Sequence, residues 1–177
     1  MSSERNSVVQ IGLVNPKSPT NVGGIMRAAG CYQADAVFYT GNRYELAARS
    51  GNAQYNTDTK RAGHHIPLQR VESLLSAKAD GVKIVCVDLV VGAIPLPEFI
   101  HPEKALYVFG PEDGTIGQEI VDHADAVVYV PTVGCMNLAA SVNVLLYDRL
   151  AKSASQIGND ELIKRSRDNN NRVRVKS

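Results

Sequence analysis

Leu106-Tyr-Val-Phe-Gly110-Pro-Glu112-Asp-Gly114 and Val127-Val-Tyr-Val130-Pro131-Thr-Val-Gly134-Cys-Met-Asn137-Leu138 follow one plan. In each, a short apolar strand breaks into a polar loop with Gly and Pro, and a helix follows. A third joint of this kind comes earlier, where Ser7-Val-Val-Gln-Ile-Gly-Leu-Val14 runs into Asn15-Pro-Lys-Ser-Pro-Thr-Asn21 and then into the helical Val22-Gly-Gly-Ile-Met-Arg27-Ala-Ala29. In an open parallel sheet, the loops at the carboxyl ends of the strands converge on one edge, where small molecules bind. Three such joints predict one shared ligand site.

The rest of the chain continues the alternation of strand and helix. Ala36-Val-Phe-Tyr-Thr40 predicts a strand, Arg43 to Arg49 a short helix, Val71 to Lys78 a short amphipathic helix, and Val82 to Val87 a buried strand. Leu96 to Ile100 lies among Pro95, Pro97 and Pro102 as a turn. Strands at 105–109 and 126–130 follow, with a helix near Gln118 to His123 between them. In the last helix, from Leu138 to about Lys152, Leu138, Val142, Leu145 and Leu146 share one face. The pattern predicts an α/β fold with a mostly parallel sheet flanked by helices.

With 177 residues and 44% hydrophobic content, the chain is sized for one domain with its own core. The expected division is a single domain over 1–163 and a basic, flexible tail over 164–177. No run approaches the roughly 20 apolar residues of a membrane span, and Met-Ser-Ser-Glu-Arg-Asn has no secretory apolar segment, so a cytoplasmic protein is expected. Cys31, Cys86 and Cys135 are odd in number and widely spaced, which suits neither a disulfide framework nor a zinc site. His64-His65 has no companion ligands at metal spacing, and no metal is expected.

The net charge of +1 conceals an asymmetry. Lys164, Arg165, Arg167, Arg172, Arg174 and Lys176 face only Asp168 in the tail, a net +5, leaving −4 for the rest. Such an arm either meets phosphates without reading sequence or is simply solvated. Within the polar stretch 41–65, Arg43, Arg49, Lys60 and Arg61 interleave with Tyr44 and Tyr55. That mixture suits unpaired RNA, with rings on bases and cations on phosphates; an exposed loop with incidental charges is the alternative.

Residue chemistry at the three joints is more pointed. Long helical side chains lean toward the helix N-terminus, and the positions three and four before Arg27 are Gly24 and Gly23. Arg27 is therefore expected over the opening of its helix, where free N–H groups and a fixed cation favour a phosphate. Asn21 is a candidate N-cap, with capping alone as its simpler role. Gly110 and Gly114 permit close backbone approach to a ligand, and Glu112 between them is a carboxylate in a tight loop, with bracing the turn as its simpler role.

At these residues the chain resembles a known family. N-x-G-x-x-x-R (Asn21, Gly23, Arg27), F-G-x-E-x-G (Phe109, Gly110, Glu112, Gly114) and P-x(5)-N-L (Pro131, Asn137, Leu138) resemble, in order, the three motifs of SpoU-type RNA 2'-O-ribose methyltransferases of the SPOUT superfamily. The resemblance spans residues 8 to 152. It implies a C-terminal deep trefoil knot, which no periodicity reveals because knots are so rare. It also implies a homodimer built on the first and last helices, S-adenosylmethionine as cofactor, and tRNA or rRNA as substrate. Arg27, Asn21, Glu112 and Asn137 are then the catalytic candidates, with Glu112 steadying either its loop or Asn21. Val87, Leu89, Gly110, Gly114, Val130, Cys135, Met136 and Leu138 would line the cofactor pocket. A guanidinium hardly ever loses its proton, so Arg27 is assigned to orienting the ribose and its phosphate.

The chain departs from many relatives at three points. Only Asp113 separates Glu112 from Gly114, Cys135 stands where a serine is common, and the loop from Pro131 to Asn137 is short. Two other readings stay open: a non-catalytic RNA-binding or ribosome-assembly protein with this fold, and a base-methylating enzyme of the superfamily. A dinucleotide or P-loop enzyme is disfavoured, because Gly23-Gly24 does not complete G-x-G-x-x-G and no G-x-x-x-x-G-K-[ST] occurs.

Overall fold

The computed structural model of the protein describes residues 6–50, 62–153, 157–167 and 172–176. Among these residues the strands are β1 (Val8–Leu13), β2 (Ala36–Tyr39), β3 (Leu68–Arg70), β4 (Lys83–Val87), β5 (Ile94–Pro95), β6 (Lys104–Phe109) and β7 (Ala126–Tyr129). The helices are α1 (Pro19–Cys31), α2 (Arg43–Arg49), α3 (Leu74–Ala77), α4 (Gln118–His123), α5 (Leu138–Ala151) and α6 (Asp160–Ser166). The strands form one sheet in the order β3-β2-β1-β6-β4-β7-β5, and every pairing is parallel.

Parallel strands covered on both faces are apolar on both faces, and β6 meets that demand. Tyr107 and Phe109 turn into the layer that holds α1 and α5, while Leu106 and Val108 turn into the opposite layer with α3 and Ile116. The period-two alternation divides the strand between two cores. β4 does the same, with Val85 and Val87 on one side and Ile84 and Cys86 on the other. Burial holds the Cys86 thiol up at about 12, with the Asp88 charge adding to it, so this cysteine is a packing group.

α1 and α5 pack on each other over the sheet. α1 buries Val22, Ile25, Ala28 and Ala29, and α5 buries Leu138, Val142, Leu145 and Leu146, the face expected from its spacing. At about 25 cal/mol per Å² of apolar surface, each fully buried leucine of α5 contributes roughly 1.5–3 kcal/mol.

Four details differ from the sequence-based expectation, the first being that α6 runs across the expected 163/164 boundary, so Lys164 and Arg165 stand on a helix. The helix expected over 71–78 shrinks to Leu74–Ala77, because Val71 bonds through its N–H to the Tyr39 carbonyl and extends the β3 segment. β3 and β5, with three and two residues, are too short for any periodicity to register. Asn21 is not the cap of α1: Ser18 is, its hydroxyl accepting from the Asn21 N–H, with Pro19 starting the helix. Proline favours that first position because its missing N–H is not needed there, and this leaves the Asn21 side chain free for other partners.

Candidate active site

The carboxyl ends of β4, β6 and β7 surround a cavity lined by Val87, Asp88, Leu89, Phe109, Gly110, Pro111, Glu112, Gly114, Val130, Thr132, Gly134, Cys135, Met136, Leu138 and Ser141. All eight residues expected to line a cofactor pocket are among them. Val87, Phe109, Val130, Met136 and Leu138 make apolar walls, suited to a flat heterocycle or a thioether chain, and the loops add backbone polar groups.

The glycines have a reason other than ligand approach. A Cβ on Gly110 would come within 3.0 Å of the Ile116 N and 3.2 Å of the Asp88 carboxylate, and one on Gly114 within 3.2 Å of Pro111. Their missing side chains make room for the folded loop itself. Gly134 supplies a φ of +91°, and the Thr132 hydroxyl donates to its carbonyl at 3.1 Å, closing the short loop before α5.

Beside this cavity, the candidate residues Asn21, Glu112 and Asn137 form one hydrogen-bonded line. Asn137 Nδ2 donates to Asn21 Oδ1 at 2.9 Å, and Asn21 Nδ2 donates to Glu112 Oε1 at 3.1 Å. Glu112 also accepts from the Ser18 N–H at 3.0 Å and the Lys17 N–H at 2.9 Å. Asn137 Oδ1 meanwhile caps α5 by accepting from the Ala140 N–H at 3.2 Å. Burial works against ionising Glu112, but the bonds from Asn21, Lys17 and Ser18 outweigh it together, and its pKa lies below the usual carboxylate range. Glu112 therefore stays charged and braces both Asn21 and the loop before α1.

Arg27 is not part of that line. It is exposed and borders a second depression, with Gly24, Ala28 and Cys31 of α1 and Ala139, Ala140 and Asn143 of α5. The cations and rings expected to meet RNA over 41–65 divide. Arg43 is bound to Asp113, and Tyr44 packs edge-on against Tyr39 at 5.2 Å, so both brace the protein itself. Tyr55, Lys60 and Arg61 lie outside the described residues.

Two carboxylates went unassigned in the sequence. Asp88 joins β4 to the loop after β6: its Oδ2 accepts from the Ile116 N–H at 3.0 Å and its Oδ1 from the Leu89 N–H at 2.8 Å. Its place between Val87 and Leu89, at a strand end facing the shared edge, was a signal. Asp113 read only as a spacer, yet it takes Arg43 in a two-pronged bond, at distances of 2.8 to 3.0 Å.

Known proteins with this architecture include an AdoMet-bound rRNA methyltransferase from Sinorhizobium meliloti, at a TM-score of 0.67 and 20% identity over 84% of this chain and 57% of that one. The SpoU methyltransferase AviRb from Streptomyces viridochromogenes, in complex with AdoMet, aligns at a TM-score of 0.63 and 20% identity over 81% of this chain and 57% of that one. The TrmH/SpoU tRNA modifying enzyme of A. aeolicus aligns at a TM-score of 0.65 and 21% identity, over 82% and 75%. The likeness at these identities is one of fold, and the chain spans little more than half the length of the first two. No curated protein sequence matches the chain. Residues 8–147 match the SpoU rRNA Methylase family, covering all three loops and the Asn21–Glu112–Asn137 line, and the chain belongs to that family, within the SPOUT superfamily.

Proposed function

We propose that the protein is an S-adenosylmethionine-dependent RNA methyltransferase acting on a ribose 2'-hydroxyl of tRNA or rRNA. The observation that carries this reading is the hydrogen-bonded line of Asn21, Glu112 and Asn137 along the rim of the cavity. It ties the loop before α1, where Arg27 follows, to the two loops that form the cavity walls. Bound there, the cofactor would supply an electrophilic methyl group. Val130, Met136 and Leu138 would hold its adenine side, Val87 and Leu89 the opposite wall, and Gly110, Gly114 and Cys135 the loop backbone around it. Glu112, charged and fixed, would keep Asn21 and Asn137 aligned at the methyl end. Alignment of this kind supplies much of a transfer enzyme's acceleration.

Arg27 would orient the ribose and its phosphate as a bidentate cation. Its place on the depression between α1 and α5, outside the cavity, fits a site completed by a second copy docked on those helices. A homodimer is therefore part of the proposal. So is the knot, favoured by the insertion of β7 between β4 and the earlier β5. The basic segment over 164–177 would add phosphate contacts as a tail to the 1–163 domain.

The test is calorimetric titration with S-adenosylmethionine, followed by methyl transfer to tRNA and rRNA and nuclease digestion to nucleosides. Saturable binding near one per subunit and a 2'-O-methylated nucleoside are expected. A methylated base would make this a base-methylating enzyme instead. RNA binding with no transfer would leave a non-catalytic binder.

A further inference from the structure

Asp113 and Glu112 are neighbours, and they grip the two ends of one loop. Glu112 holds the backbone N–H groups of Lys17 and Ser18 and the Asn21 side chain. Asp113 takes Arg43 from α2, and Arg43 Nη2 also donates to the Asn15 carbonyl at 2.7 Å, where the same loop leaves β1. A closed ring therefore runs from Asn15 through Lys17 and Ser18 to Glu112, Asp113 and Arg43, and back to Asn15. With one residue between Glu112 and Gly114, there is little slack in it.

Stability gives no reason for this arrangement. The Arg43 and Asp113 side chains are 31% and 49% exposed, and an ion pair so open to water adds little to folding. The junction also carries unfavourable features. Asn15, which carries a side chain, has a φ of +43°, and Gly41 packs so closely on it that a Cβ there would run into the Asn15 side chain. Asn15 Oδ1 and Arg43 Nε are buried without a hydrogen-bond partner. Backbone strain and orphaned polar atoms cost stability and collect where geometry serves function.

We propose that Arg43 and Asp113 are a positioning clamp, which sets Glu112, and through it Asn21 and Asn137, against the cavity. This rests on the methyl-transfer reading above. Arg43 and Asp113 touch neither ligand in it, so breaking the clamp misaligns the reacting groups while every direct interaction with cofactor and RNA stays available.

The test is a double-mutant cycle of Arg43→Ala, Asp113→Ala and the pair, read by kcat, by calorimetric affinity for S-adenosylmethionine and by hydrogen exchange at the Lys17 and Ser18 amides. Each single variant is expected to lower kcat on the order of 10- to 100-fold, with cofactor affinity within about twofold and both amides exchanging faster. The pair should be no worse than either single variant. Arg43→Lys, which keeps the charge and loses the fork, should remain slow. Additive losses, a loss confined to cofactor affinity, or unchanged kcat and exchange would overturn the clamp. If the unaltered protein transfers no methyl group, the functional reading fails by itself. The clamp then stands or falls on whether both single variants speed exchange at Lys17 and Ser18 equally.

Discussion

Asn137 reaches across 116 positions of chain to donate its Nδ2 proton to Asn21 Oδ1 at 2.9 Å, while its own Oδ1 caps α5. One side chain thus starts a helix and fastens the first loop to the last. The two duties separate by substitution. Asn137→Asp keeps an oxygen for the cap and loses the donor, whereas Asn137→Ala loses both. Both variants should lose methyl transfer by at least tenfold. Asn137→Ala should in addition unfold a few degrees lower, since a lost cap costs about 1 kcal/mol and a domain of this size shifts about 2–4 °C for that amount. Transfer assays and thermal melts of the two variants check it.

Glu112→Gln retains the shape of Glu112 but turns an amide N–H₂ toward groups that already donate. At least one of the Lys17, Ser18 and Asn21 donors loses its partner, at a cost of about 1–3 kcal/mol. The pH dependence has a definite sign. Because the folded pKa of Glu112 is depressed, its stabilising contribution is present above the ordinary value of 4.5 and is lost as pH falls through the lower folded value. Melting temperature followed from pH 6 downward should show this loss in the wild-type protein and a shallower one in Glu112→Gln.

What could be read from the sequence depended on how local the signal was. The β6 run Leu106 to Phe109 announces itself as an unbroken apolar stretch because both its faces are buried, and the α5 face of Leu138, Val142, Leu145 and Leu146 because one-sided burial imposes a period of three to four. All eight expected cavity residues line it because strand ends in a parallel sheet face one edge. Partnerships across the chain carry no such period. Nothing near Arg43 marks Asp113, 70 positions away, as its partner, so the arginine read as an RNA contact. Asn21 looked like a cap because Ser18 and Asn21 are both capping residues, and only Pro19 at the first helical position distinguishes them.

Arg27 borders the depression between α1 and α5 and does not line the cavity, so under the proposed function cofactor binding and methyl transfer separate at this residue. Arg27→Ala should leave S-adenosylmethionine affinity within about twofold, keep most RNA binding, and lower transfer by at least a hundredfold, the size of effect expected when a reacting group loses its alignment. Arg27→Lys should recover little, because an ammonium cannot reproduce a planar two-pronged contact. Filter binding, calorimetry and single-turnover transfer on the same preparations separate the three quantities.

Away from that edge, His101 is nearly sealed in, with its side chain 6% exposed, between the Tyr107 hydroxyl at 2.7 Å and the Asp148 carboxylate at 2.7 Å. Arg149 donates to the Tyr107 hydroxyl at 2.8 Å and Lys152 pairs with Asp148 at 2.8 Å, so two cations also face this group. Burial lowers the His101 pKa below 6.5, and the Asp148 hydrogen bond, which pulls the other way, does not restore it. The unfolded chain therefore binds the proton more readily, and stability falls as pH drops from 6.5 toward the folded value. His101→Gln should melt at a lower temperature at pH 8 and lose part of the pH dependence just below 6.5. A melt series from pH 5 to 8 on both proteins checks it.

Beyond α6, Arg172, Arg174 and Lys176 alternate with Val173 and Val175, which are 86% and 94% exposed. The three cations sit at alternate positions of a segment outside any helix or strand, so no rigid element aims them at a base edge, and phosphates are their simplest partners. Their contribution to RNA binding should then be electrostatic and indifferent to sequence. Truncation after residue 171 should weaken binding to every RNA alike, and lower the slope of log affinity against log salt by about 0.7 for each single-strand phosphate that the segment had neutralised. Filter binding from 50 to 200 mM salt measures the slope. A truncated protein with unchanged slope but altered choice among RNAs would mean that the segment reads shape or sequence.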